Sequence, residues 1–439
     1  MHTTGAPRIV IIGGGYVGLY CARRLERELD RGEADLLLIN PTNYMVYQPL
    51  LPEVASETLE ARQAVVPLRQ ALRRTHVNRG RVTHIDAEGR TITFDQAGAD
   101  PIDVAYDHLV VGLGAQSKIP PVPGLAEHAV GFQTIAEALR LRHQVIEGLE
   151  TAEAAPDAHT RRQALTFVVV GGGYTGVEAI AELEDLARDA CRRYPTVTAD
   201  EIRWVLVEAT DRLLPTVEPE LAERALHELR ARGIEVRLDT TVSSVAADEV
   251  ELSDGERVPT HTVAWVAGVE PNPVVASSNV PTDEQGRIPV DRELRVRDAE
   301  GIWAAGDIAA VPDGHGGLFP PTAQHAQRQG DHVGANLAAT LRGKQPRPFE
   351  FSSPGEMISL GHRKGVASLY GRQLRGVLPW LLRRAYHAAL IPTVERKLRI
   401  AIEWSIGVGC RRDALSLEPV ERPHEPLHAA ARSSAEDDR

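Results

Sequence analysis

The chain has 439 residues, 43% of them hydrophobic, and a formal net charge of −12 at pH 7. That length supports two to four cores at roughly 100–200 residues each, and the acidic excess argues against nucleic acid as a main partner. Its cysteines, Cys21, Cys191 and Cys410, lie far apart, with no Cys-x-x-Cys or Cys-x4-Cys pair; this excludes an encoded metal cluster or local redox disulfide and fits a reduced, intracellular setting.

An apolar strand is expected from Arg8, which leaves no room before it for a charged-then-apolar export signal. It runs into Gly13-Gly-Gly15-Tyr-Val-Gly18 and a helical pattern from Val17 to Leu25. In such a turn the first glycine bends the chain, the second lets a pyrophosphate approach the backbone, and the third lets the helix pack on the sheet. The diphosphate then rests on N–H groups at the helix's positive end. The next strand, Ala34 to Asn40, ends where a nucleotide fold meets the adenosine ribose. Asn40 offers a hydrogen bond there without the usual charge. After a departure through Tyr44 to Pro52, the pattern returns at Tyr106 to Ala115.

A linker rich in Ala, Glu and His is expected from about Glu150 to Arg162. The second glycine turn follows, Gly171, Gly173 and Gly176 behind Phe167 to Val170, about 158 positions after the first. One such turn is weak evidence, whereas two in one chain imply two nucleotide cofactors held face to face. The second unit's next strand, Ile202 to Glu208, does end in an acid. A carboxylate there accepts from the ribose hydroxyls and repels a 2′-phosphate, favouring NADH over NADPH; Arg212, four residues on, is placed to soften that preference.

A strand from His261 to Trp265 leads to Gly268, and an apolar run Gly301 to Ala305 delivers Gly306-Asp307. A helix starts at Thr322 and carries Gln324, Gln327, Arg328 and Gln329. Further on lies a cationic island: Arg372, Arg375, Arg383, Arg384, Arg396, Lys397, Arg399, Arg411 and Arg412 against only Glu395 and Glu403. Two helical patterns occur in it. One places Leu378, Leu381, Leu382, Ala385 and Ala389 on one face with Arg383, Arg384 and His387 away from it, and the other repeats Val394, Leu398, Ala401, Ile402 and Ser405. Both fall short of the ~20 uninterrupted apolar residues of a spanning helix. They read as amphipathic helices in a membrane interface, with Trp380 and Trp404 at headgroup level and arginines meeting anionic lipid. His76, His84, His315 and His325 lack ligand spacing, so no metal site is expected. The tail beyond about Glu418 reads as disordered.

With these features in view, the chain resembles the two-dinucleotide-binding-domain flavoproteins, and most closely the type II NADH dehydrogenases. The resemblance runs from Arg8 to about Leu417 and is carried by Tyr47-Gln-Pro-Leu-Leu, Val170 to Glu178 and Pro320 to Gln324. It implies an α/β protein with two Rossmann-like domains, one for FAD and one for NADH, plus a C-terminal amphipathic-helix region. The expected boundaries are 1–118 and 276–345 for the two parts of the FAD domain, 119–162 for a connecting segment and 163–275 for the NADH domain. Residues 346–418 would form the membrane-associating or dimer region and 419–439 the tail. By the same resemblance FAD meets Gly13, Gly15, Gly18, Asn40, Gln48, Gly114, Ala115 and Asp307. In this chain Gly112-Leu-Gly114 replaces the Ala-Thr-Gly of many relatives. NADH meets Gly171, Gly173, Thr175, Gly176, Glu208 and Gly268, and Glu178 stands near the nicotinamide and flavin rings.

Relatives approach their quinone with two glutamines in Ala-Gln-x-Ala-x-Gln. Here the first is Gln324 and the second is replaced by Arg328. An arginine at that point polarises a quinone oxygen, steers an anionic acceptor, or closes the site. The expected function is a non-proton-pumping NADH:quinone oxidoreductase, peripheral on the cytoplasmic face of the cell membrane and able to dimerise. Two alternatives stay open: the same flavoprotein with a different soluble or protein acceptor, and an NADH-sensing flavoprotein.

Overall fold

The computed structural model describes residues 5–353, 355–407 and 415. Cys410, Arg411, Arg412 and the tail from 419 lie outside the described residues. Apolar runs such as Ile9–Ile12 and Leu36–Ile39 are buried on both sides, as expected for parallel strands covered on two faces. They form a five-stranded parallel sheet in the order Ile302–Ala304, His108–Val111, Arg8–Ile12, Asp35–Asn40, His76–Arg79. Helix α1 (Tyr16–Glu28) follows the first strand directly.

A second parallel sheet has the order Ala129–Val130, Thr262–Trp265, Thr166–Val170, Arg203–Val207, Glu235–Arg237. Its edge strand Ala129–Val130 comes from the segment expected to be a connector, which therefore belongs to this domain. Helix α2 (Ile135–Glu153) starts on a capping box between Thr134 and Glu137. The stretch expected as a linker is largely helical. Helix α2 runs to Glu153, and a further helix, Ala158–Ala164, is capped by Asp157 accepting from His159 and Thr160 N–H groups. Alanine and glutamate, read there as linker composition, are good helix formers. Helix α3 (Tyr174–Ala190) follows the second glycine turn.

The chain then returns to the first sheet through Ile302–Ala304, and α4 (Ala323–Leu341) packs along α1. A three-stranded antiparallel sheet, Gly355–Ser359, Gly365–Leu369 and Arg372–Arg375, leads into α5 (Val377–Leu390) and α6 (Val394–Gly407). No helix among the described residues is long and apolar enough to cross a membrane.

Helix α5 is turned opposite to a simple surface helix. Arg383 and Arg384 are buried together with Trp380, while Val377, Leu378 and Leu381 are exposed. In α6, Val394, Leu398, Ile402 and Ile406 are exposed, and Ile400 is buried. The expectation that these arginines and tryptophans face lipid headgroups is thus corrected. Arg384 stacks 4.0 Å from the Trp380 ring and 5.0 Å from that of Trp404, and Trp404 donates to Glu53 at 2.7 Å. The charged side turns inward because buried carboxylates await it.

Candidate active site

The two glycine turns are built alike. Gly13 and Gly171 have φ of +93° and +117°, a region costly for residues with a Cβ. A Cβ on Gly18 or Gly176 would collide with the carbonyl of Gly13 or Gly171, so helix and turn close tightly. On Gly15 or Gly173 a Cβ would meet no heavy atom within 4 Å. Those glycines face open space and cap α1 and α3 without a side-chain acceptor, and neither helix has an acid in its first turn. Each turn therefore offers undefended N–H groups to an anion. Thr175, in the first turn of α3, is exposed.

At the strand ends Asn40 and Glu208 play matching parts. Asn40 Oδ1 accepts from Gly14 N–H at 2.7 Å, and its amide donates to Thr42 O and Oγ1 at 2.9 and 3.0 Å. Glu208 accepts from Gly172 N–H at 2.6 Å and from Thr210 N and Oγ1 at 2.8 Å each. Either residue braces the turn beside it and keeps acceptor capacity on its carbonyl or carboxylate oxygens. Arg212 donates to the carbonyls of Pro215 and Val217, which ties its guanidinium to its own loop.

The domains meet at their two remaining loops. Ala115–Ser117 pairs antiparallel with Val269–Pro271, and Lys118 N–H donates to Gly268 O at 3.2 Å. Gly114 and Gly268, both with positive φ, lead into these two strands from opposite ends of the ribbon, Asn272 N–H donating to Gly114 O at 3.3 Å. Beside them opens a cleft of about 530 Å³ lined by Ala115, Val269, Gly306, Asp307 and Thr322 among others. The Asp307 carboxylate has no hydrogen-bond partner among the described residues, and burial pushes its pKa up. Gly306 N–H donates to Gln329 Oε1 at 2.8 Å, which joins this corner to α4. An open cradle at Gly15 and an unpartnered, half-buried acid in a cleft fit a bound dinucleotide; Gly173 and Glu208 repeat the fit in the second domain.

Glu178, on the first turns of α3, is buried. Its Oε1 accepts from Ser359 N–H at 2.8 Å and its Oε2 lies 2.6 Å from Arg383 Nη2. Arg383 also lies 3.4 Å from Glu53 and donates to Pro49 O at 2.8 Å. Burial raises the pKa of both Glu178 and Glu53, opposed in each case by the arginines beside them. Sequence reasoning missed Glu53 and this role of Arg383, because no local pattern links positions so far apart in the chain.

On α4, Arg328 donates back to Gln324 O at 3.0 Å and holds its guanidinium 4.3 Å from the Phe351 ring centroid. Gln48 is exposed, next to buried Tyr47, whose hydroxyl is 3.2 Å from His387 Nδ1. Tyr47 and His387 were also missed, and no sequence signal marks them as a pair. Among the described residues no group of His, Cys, Asp or Glu could hold a metal ion.

Residues 7–330 match the family model described as pyridine nucleotide-disulphide oxidoreductase. The chain belongs to that family. Among curated relatives it is 31% identical to the demethylphylloquinone reductase NdbB of Synechocystis over 92% of this chain and 96% of that one. It is 30% identical to a type II NADH:quinone oxidoreductase of Staphylococcus aureus, over 84% and 91%. These relatives place it in the type II NADH:quinone oxidoreductase branch. The fold is that of NDH2 from Plasmodium falciparum in complex with NADH, with a TM-score of 0.86 at 18% identity, covering 93% of this chain and 99% of that one. The disulphide of the family description has no counterpart in Cys21 and Cys191, which are both free and buried.

Proposed function

We propose that this chain oxidises NADH and passes the electrons through FAD to a quinone. The observation that carries the reading is the pairing of Ala115–Ser117 with Val269–Pro271 beside the cleft that holds Asp307. Two dinucleotides seated in the two cradles would bring their reactive rings to that meeting point. FAD supplies the two-electron carrier chemistry that links a hydride donor to a quinone.

The chain's own residues supply placement. The turn at Gly13, Gly15 and Gly18, with Asn40, Gln48, Gly114, Ala115 and Asp307, holds FAD. The turn at Gly171, Gly173 and Gly176, with Thr175, Glu208 and Gly268, holds NADH. Pinning two rings in one orientation replaces a bimolecular encounter with a local one. Glu178, paired with the buried Arg383, would serve as a positioning group for the nicotinamide. Gln324 and Arg328 face the acceptor.

Exposed Val377, Leu378, Leu381, Leu398, Ile402 and Ile406 support a membrane-lying face on α5 and α6, at the cytoplasmic surface, from which a lipid-soluble quinone enters. Part of the same face would serve a homodimer. Arg328 in place of a glutamine favours a second reading, a more polar acceptor. Turnover compared between a lipid-tailed and a tail-less quinone tests the choice: preference for the tailed quinone supports the first reading, and equal rates support the second.

A further inference from the structure

We propose that Tyr47 and His387 form a proton-delivery pair for the acceptor, Tyr47 donating to the quinone oxygen and His387 resupplying Tyr47 from solvent. This rests on the quinone-reducing reading above. NADH and quinone give NAD+ and quinol only if a proton is also taken from the medium, so the acceptor side needs a route for it.

The pair stands where α5, the Tyr47 segment and α1 converge. His387 lies one turn after Arg383 on the inward side of α5. Its Nδ1 is 3.2 Å from the Tyr47 hydroxyl, and the rings meet edge-on with centroids 5.9 Å apart. Tyr47 is 2% exposed and packs 5.8 Å from Tyr16, the residue after Gly15 at the start of α1. Tyr20 donates to Leu390 O at 2.8 Å and closes the far end of α5 onto α1. The hydroxyls of Tyr16 and Tyr386 are buried without a partner, so the surroundings hold polar groups that only a polar guest would satisfy.

The groups facing His387 are Tyr47, Tyr386 and Arg383, with Tyr16, Tyr20 and Arg328 acting on Tyr47. Burial and then Arg383 hold the His387 pKa well below its ordinary value, so the ring is neutral at neutral pH. Burial raises the Tyr47 pKa, so it keeps its proton until an acceptor draws it. His387 as a residue is half-buried, at the edge of the α5 packing.

The Tyr47 O–H bond breaks as one O–H bond forms on the quinone, which gains the electron pair that NADH gave up; the second O–H of the quinol takes, as a proton, the hydrogen that left NADH as hydride. Tyr47 regains a proton from His387 Nδ1 while Nε2 binds one from solvent, so the imidazole stays neutral and changes tautomer.

The test uses NADH-reduced holoenzyme mixed anaerobically with a water-soluble quinone or with ferricyanide, a one-electron oxidant that takes no proton. The flavin absorbance and the colour of a pH indicator in dilute buffer are followed together. For Tyr47→Phe and His387→Ala, recovery with quinone is expected to slow at least ~10-fold, the lower end of what a positioned proton donor contributes. Proton uptake slows with it, and added imidazole restores His387→Ala. Ferricyanide-linked recovery keeps the wild-type rate. Quinone recovery at the wild-type rate in both variants would overturn the pair. So would a parallel loss with ferricyanide, which marks a packing role. If the wild-type protein itself fails with quinone, the function reading falls and the pair with it; a quinone-competent wild type with unaffected variants removes the pair alone.

Discussion

Arg383 Nη2 lies 2.6 Å from Glu178 Oε2, with both side chains buried and the residues 205 positions apart. This contact fastens α5 to the first turns of α3, and Glu53 shares the same guanidinium at 3.4 Å. Removing one partner of a buried ion pair leaves the other charge uncompensated. Arg383→Met is therefore expected to lower stability by about 3–5 kcal/mol, read as a clear fall in the melting temperature. An unchanged melting temperature would show that the pair bears no load.

The same contact marks how far the sequence could be read. The glycine turns were legible because each is a local device: strand, bend, open N–H groups and helix sit within a dozen residues. Glu208 was legible for the same reason, since the strand fixes its place. The orientation of α5 was not. Its periodicity separates Leu378, Leu381 and Leu382 from Arg383 and His387 but does not say which side meets protein. The answer comes from Glu53 and Glu178, carboxylates from two other domains that are buried only once the chain has folded.

The cradles should separate by substitution. Gly15→Val and Gly173→Val place side chains into open space and should leave the fold intact. Gly15→Val is expected to yield protein lacking flavin absorbance, and Gly173→Val to yield normal flavin content with a KM for NADH raised at least ~10-fold, about 1.4 kcal/mol of lost binding. Gly18→Val, whose Cβ would strike the Gly13 carbonyl, should fail to fold. Flavin content and circular dichroism of the three variants check this.

Glu208→Arg is expected to shift the kcat/KM ratio from NADH towards NADPH by at least ~10-fold, since it removes an acceptor for the ribose hydroxyls and a charge that repels a 2′-phosphate. Glu208→Gln keeps an oxygen for Gly172 N–H and should shift the ratio less. If neither moves it, the ribose assignment is wrong.

Acid stability offers a check on the second domain. The Arg161 side chain, then the Thr198 backbone N–H, hold the Glu201 pKa at about 2, down from an ordinary 4.5. A depressed carboxyl pKa adds stability above the unfolded value, and that contribution is lost as pH falls from about 4.5 towards 2. The melting-temperature gap between wild type and Glu201→Gln should be present at pH 6 and shrink as the pH falls below about 4.5. A gap independent of pH would contradict the pairing.

The apolar face of α5 and α6 is accessible to a simple test. Leu398, 60% exposed, and Ile402, 59% exposed, contribute little to the described core. Leu398→Glu with Ile402→Glu should release the protein from lipid vesicles while preserving turnover with a water-soluble quinone. Retention on vesicles would place the membrane contact elsewhere.

On the proposed reading, two facing cradles join NADH oxidation to quinone reduction. Anaerobic rapid mixing of the purified holoprotein tests it most directly, following the flavin absorbance as NADH and then a quinone are added. Bleaching by NADH followed by fast recovery with quinone is the expected result. Failure to bleach would contradict the paired cradles, and bleaching without recovery by any quinone would contradict the acceptor.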